Sequence, residues 1–208
     1  MERKKLFRLI LGVSLLVIAV LGLMVILANN DPKETTEEVS SQRIKEAAQA
    51  SLASFEDWRG PTLEESYIFY DLNKSPSAYL FNVSDYYGKA GYIVISATTK
   101  LDPIIEISSS AETPVSKILV LVNDLTLGSI YEPGDVRIDY IYLGGQEYYA
   151  RLTLREGEDV SLRHYKLERD KVSQVDEEVL LNKQADFLIL KEESAPANWE
   201  KLLGRPTD

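Results

Sequence analysis

VRIDYIYLGGQEYYARLTLREGEDVSLRHYKL, residues 136–167, holds three runs of alternating apolar and polar side chains separated by glycine-bearing turns. Val136, Ile138, Tyr140 and Tyr142 alternate with Arg137, Asp139 and Ile141, the period-two pattern of a strand with one apolar and one mixed face. Gly144-Gly145 and Glu156-Gly157-Glu158 are the right size for tight hairpin turns. The spacing therefore predicts strands at 136–143, 147–154 and 160–167, joined as an antiparallel meander. Helices belong on its apolar face.

Upstream, the chain is rich in tyrosine, valine and isoleucine and is cut by turn residues, which predicts further strands at 66–72, 78–83, 91–97, 104–108 and 117–122. Ile44, Ala48, Leu52, Phe55 and Trp58 recur at steps of three and four, one apolar helix stripe over 42–58 that starts at a serine cap and stops at Gly60-Pro61. Its aromatic end reads as core packing. Gln174–Lys191 predicts a second helix, with Val175, Val179, Leu180, Phe187 and Leu190 loosely on one face. From Glu192 onward Pro196 and Pro206 predict an irregular tail, with Trp199 and Leu202 docking back as a short turn. The expected fold class is α+β: a mainly antiparallel, twisted sheet with one or two packed helices, over residues 42–208.

Residues 1–41 are of a different kind. Leu9–Ala28 is an apolar run in which Ser14 is the one clearly polar side chain, and as a helix it would be about 30 Å long, the thickness of a bilayer core. Arg3, Lys4, Lys5 and Arg8 precede it, so the positive-inside rule leaves residues 1–8 in the cytoplasm and exports the chain beyond Ala28. A cleaved secretory signal is the competing reading. The run is longer than a usual signal core, and Ile26-Leu27-Ala28 puts a bulky residue where cleavage needs a small one, which favours a retained transmembrane anchor. Residues 29–41 are polar and aperiodic, a stalk that lifts the domain about 20 Å. The expected location is the cell membrane, single-pass, with the C-terminal domain extracytoplasmic.

Composition removes several functions. Among 208 residues there is no cysteine and one histidine, so disulfide scaffolds, thiol nucleophiles and cysteine-ligated metals are excluded. The net charge of −10 becomes −13 without the basic N-terminus, which argues against nucleic acid and against anionic headgroups, leaving the helix as the membrane tie. His164 lies in LRHYK, where alternation places it among arginine and lysine as a strand-surface residue, and no G-x-S-x-G elbow exists. Phosphate-binding glycines and a calcium loop are also missing. Neither an enzyme, a cofactor, a bound metal nor a small-molecule substrate is expected.

The most specific letters are AYLFNV at 78–83 and GYIVISATTKLDPIIEISSS at 91–110. They resemble the N-terminal prodomain of bacterial papain-fold cysteine peptidases, the streptopain-type propeptides and related prodomains, where a strand ending Phe-Asn leads to Gly-Tyr-Val-Ile-Val-Ser and then to a strand beginning Pro-Ile-Leu. The likeness extends over about 110 residues, from a helix at Lys45–Phe55 to a strand pair at Arg137–Tyr149, with the specific letters confined to Ala78–Ser110. Because this chain has no cysteine, peptidase activity does not follow. The resemblance implies instead a propeptide-like role, a domain that inhibits or chaperones a papain-fold peptidase in trans.

The loops Asp85–Ala90 and Leu101–Pro103 flank the resembling strands, and Tyr86 and Tyr87 in the first are the sort of aromatic anchor that contacts a partner. The alternative is that the two tyrosines cap the sheet's own core. A second functional reading is a membrane-anchored envelope module that binds a wall or membrane protein and has no link to proteolysis.

Overall fold

The computed structural model describes residues 38–53, 55–127, 133–168 and 171–204. Eight strands form one sheet: β1 (Thr62–Tyr70), β2 (Pro76–Asp85), β3 (Gly88–Ser96), β4 (Ile104–Ser108), β5 (Val136–Tyr142), β6 (Tyr148–Glu156), β7 (Asp159–Leu167) and β8 (Val172–Val175), in the order 4-3-2-1-5-6-7-8. Every neighbouring pair is antiparallel except β1 and β5, which meet in parallel at Tyr70 and Ile141. The sheet is thus two four-stranded meanders joined by one short parallel contact. The α+β class and the antiparallel order of the last meander are as the sequence reads. Gly144 (φ 90°) and Gly145 (φ 63°) take the left-handed conformations that its first turn demands.

Four helices are described: α1 (Ser41–Leu52), α2 (Pro114–Leu127), α3 (Glu177–Ile189) and α4 (Ala195–Leu202). The segment Lys117–Val122, read as a strand, is the middle of α2. Its β-branched side chains mislead; the deciding residues lie just upstream. Pro114 occupies the first helical turn, and Thr113 and Ser116 exchange side-chain-to-backbone hydrogen bonds of 3.0 Å each way, a reciprocal cap. A helix is also what the topology asks for, since the parallel β1–β5 junction needs a long crossover between the meanders.

Other boundaries move for similar local reasons. The helix expected at 42–58 ends at Leu52, and Phe55 and Trp58 sit in the turns beyond it, rings 4.4 Å apart. Ser40, not Ser41, is its cap, accepting from the Arg43 N–H. Gln174–Lys191 divides into the end of β8 and helix α3. The tail is not irregular: Pro196 is tolerated in the first turn of α4, and Trp199 is fully buried. Glu38 and Val39, assigned to the stalk, belong to the domain, because Glu38 bridges Thr98, the Val39 N–H donates to Ala97 O at 3.0 Å, and Val39 is buried. Among the described residues no helix is long and apolar enough to cross a membrane. The proposed span Leu9–Ala28 lies outside them, as do residues 1–8.

The helices do not share the apolar face of the last meander. That face, with Tyr142, Tyr148, Ala150, Leu152 and Leu154, is covered by α2 through Val115 and Ile118, and it continues across Phe69, Leu80 and Val94 of the first meander. Helix α1 packs on the opposite side of the first meander, where Ile44, Ala48 and Leu52 join Trp199 of α4 against Phe81, Val83, Ile93 and Ile95. Helix α3 takes the other side of the second meander, Leu180 meeting Ile141, Leu143 and Tyr149. Ile141, read in sequence as part of the mixed face, is therefore core, as is Tyr149.

The sheet curls strongly. In a flat sheet β4 and β6 would lie five strand spacings apart, about 24 Å. Yet Glu106 of β4 accepts hydrogen bonds from Tyr148 of β6 at 2.7 Å and from Tyr92 of β3 at 2.6 Å. Only a sheet rolled toward the α2 side brings those groups together.

Candidate functional site

The hairpin β2–β3 turns at Asp85–Gly88, and this turn carries Tyr86 and Tyr87. The Asp85 carboxylate accepts the Tyr87 N–H at 2.8 Å, an Asx turn that fixes the loop from within. From outside, the Tyr86 N–H donates to Arg59 O at 3.0 Å, and the Trp58 indole N–H donates to Ala90 O at 3.3 Å. The segment after α1 thus braces the hairpin near its tip. The two rings meet edge to face with centroids 5.4 Å apart.

Tyr86 is 84% and Tyr87 75% exposed, so the pair does not cap the sheet's core. Two aromatics meeting edge to face in solvent on a braced turn are of the residue type enriched at protein interfaces. The second loop singled out from sequence is different. Leu101 is buried and its carbonyl accepts the Trp199 indole N–H at 3.0 Å, while Asp102 accepts from Asn198 at 2.7 Å and its N–H donates to Glu192 at 2.7 Å. It is a fastening for α4. It also lies past the far end of β3 from the tyrosine turn, about 27 Å away along the strand, so the two loops do not form one contact surface.

A polar recess was not legible in the sequence. The curl of the sheet leaves a cavity of about 510 Å³ between β4, β6 and the start of α2, with Glu106, Glu112, Lys117, Tyr148 and Glu168 on its walls. Both Glu106 oxygens are occupied by phenol hydroxyls, and the Lys117 ammonium donates to Glu168 O at 3.1 Å. Burial first, then the Glu106 charge, pushes the Tyr148 phenol far above its usual range. A carboxylate whose two oxygens already accept hydrogen bonds, beside a phenol held protonated, is a clasp across the curled sheet and not a poised base.

His164 is buried, contrary to its reading as a surface residue, on a strand flanked on both sides, where it stands opposite Arg151 of β6 and Val175 of β8. Burial is the main reason its imidazole titrates below the usual range; Glu177 opposes that fall and Arg151 adds to it. Among the described residues no cluster of His, Asp and Glu is spaced to hold a metal ion. Asn82 of the sequon Asn82-Val83-Ser84 lies mid-strand opposite Tyr92, with its amide oxygen buried.

No family model matches the sequence, and neither a curated protein nor a solved structure matches it.

Proposed function

We propose that the chain is a membrane-anchored, non-catalytic binding domain that engages a papain-fold cysteine peptidase outside the cell membrane, as an inhibitor or chaperone acting in trans, with the Tyr86–Tyr87 turn as part of its contact. The observation that carries this reading is the exposed, edge-to-face tyrosine pair on a turn braced by Arg59 and Trp58. A rigid tip loses little conformational freedom on docking, so the aromatic area it buries is converted to affinity. The turn joins the two runs, 78–83 and 91–110, whose letters resemble peptidase propeptides, which supports the choice of target. Such binding needs about 800 Å² of complementary surface on each partner and no titrating group. The membrane anchor, residues 9–28, belongs to the same proposal.

The test adds residues 36–208 at rising concentration to the secreted fraction of the source cells and reads cysteine-peptidase activity with an active-site-directed probe. Saturable loss of labelling on one band is expected. Tyr86→Ala combined with Tyr87→Ala should weaken that loss at least about tenfold, since truncating one hot-spot aromatic costs about 2 kcal/mol. Unchanged labelling at micromolar protein refutes the proposal, and crosslinking would then seek a wall or membrane partner.

A further inference from the structure

Helix α3 carries two apolar stripes. Leu180 and Phe187 face inward, against Ile141, Leu143 and Tyr149. Leu181, Ala185, Leu188 and Ile189 stand at i, i+4, i+7 and i+8, the spacing of a single helix face, and they face out. Leu181 is 55%, Leu188 50% and Ile189 82% exposed, and Ala185 is exposed between them. A single exposed leucine carries no meaning; a continuous strip along one helix does.

The place of this strip is what assigns its occupant. Phe187, Leu188 and Leu190 line a recess of about 210 Å³ whose opposite wall includes Glu38 and Thr98. Glu38 is held to the domain by an isolated bridge to Thr98, just past the end of β3. Between the apolar run ending at Ala28 and Glu38 there are nine residues, which reach at most about 32 Å. Glu38, the first described residue, therefore sits beside the C-terminal turn of α3, so a tether anchored as proposed would attach at the same end of the domain as the strip.

We propose that the outer strip of α3, Leu181, Ala185, Leu188 and Ile189, rests on the lipid surface and orients the domain on the membrane. This rests on the anchor in the proposed function. A helix of 13 residues is about 20 Å long, and four side chains along it fall well short of the surface that a stable soluble dimer buries. At a membrane the requirement is smaller, because the tether already supplies the local concentration. Apolar side chains of an interfacial helix then enter the boundary between headgroups and acyl chains. Glu177, Glu178 and Asp186 lie on the same helix, which favours uncharged or zwitterionic lipid over anionic lipid.

The chain has no cysteine, so single-site labelling of the full-length protein is direct. Ala185→Cys and, as a reference, Leu162→Cys on β7 would each carry one nitroxide in phosphatidylcholine vesicles. Leu162 is 54% exposed. At 185 the ratio of collisions with oxygen to collisions with a water-soluble nickel chelate should exceed that at 162 several-fold. Adding Ile189→Glu should return the 185 label to water with the circular dichroism spectrum unchanged. Equal ratios at the two sites overturn the proposal, and so does protection of 185 from both probes, which marks a protein partner or a second copy. Flotation of the vesicles separates the two readings: a chain that does not float has no anchor, and the docking falls with it, whereas a floating chain with 185 open to nickel keeps the anchor and loses the docking.

Discussion

Glu147 stands just before β6 and holds α3 to the sheet. Its carboxylate accepts from Lys166 of β7 at 2.7 Å, from Lys183 of α3 at 2.8 Å and from the Tyr149 hydroxyl at 3.1 Å. The lysine hydrogen bonds, Lys166 first, outweigh the burial that opposes them and hold the carboxyl at about 2, against an ordinary 4.5. At about 1.36 kcal/mol for each tenfold change in proton affinity, that gap bounds the contribution at about 3.4 kcal/mol. The three side chains are 28–43% exposed, so solvent screening reduces the expected value to about 1 kcal/mol. A carboxyl depressed on folding contributes stability above its unfolded value, and loses it as pH falls from about 4.5 through about 2. Urea unfolding of residues 36–208 and of the Glu147→Gln variant should therefore differ by about 1 kcal/mol at pH 7 and converge near pH 2. Comparing the pair at each pH cancels the titration of the other carboxylates. A difference that persists undiminished at pH 2, or none at pH 7, would refute the assignment.

Trp199→Ala should cost about 3–5 kcal/mol in urea unfolding and free α4, with Trp58 fluorescence as the remaining probe; a loss under about 1 kcal/mol would mean that the tail does not dock as described. Gly91→Ala would place a methyl 2.0 Å from Ser108 O, so β4 must shift, at a cost of about 2–3 kcal/mol and with faster amide exchange in β4 than in β2. A neutral variant with unchanged exchange contradicts that close approach. In alkaline titration followed by ultraviolet absorbance, Tyr142, Tyr148 and Tyr149 should stay protonated well past pH 10, because burial raises all three and Tyr140 reaches about 12. Phenols raised on folding contribute stability that is lost as pH climbs above 10, so their ionisation should coincide with unfolding. All twelve tyrosines titrating together near pH 10 in a folded domain would refute it.

How much of the structure is legible in the sequence depends on the range of the interactions involved. The last meander was legible because its alternation and its glycine turns are set within a few residues, and β4 matches its expected bounds for the same reason. Helix α2 was misread because Ile118, Val120 and Val122 favour strands, while the signal that decides it, Thr113-Pro114 with Ser116, lies before the run. Tyr86 and Tyr87 were visible as candidates, but not their exposure, which depends on how far the hairpin projects beyond its neighbours. The Glu106 clasp was out of reach altogether. Its partners stand 14 and 42 residues away in the chain and meet only because the sheet curls.

The single parallel contact between Tyr70 and Ile141 also bears on how the chain folds. Each meander closes through hairpins of near neighbours in sequence, pairings that form quickly. The junction instead closes a loop of about 70 residues, whose entropy must be surrendered before Tyr70 and Ile141 meet. The two halves should therefore become protected from exchange first and independently, and the join last, when the phenol of Tyr148 finds Glu106 and zips the two meanders into one sheet.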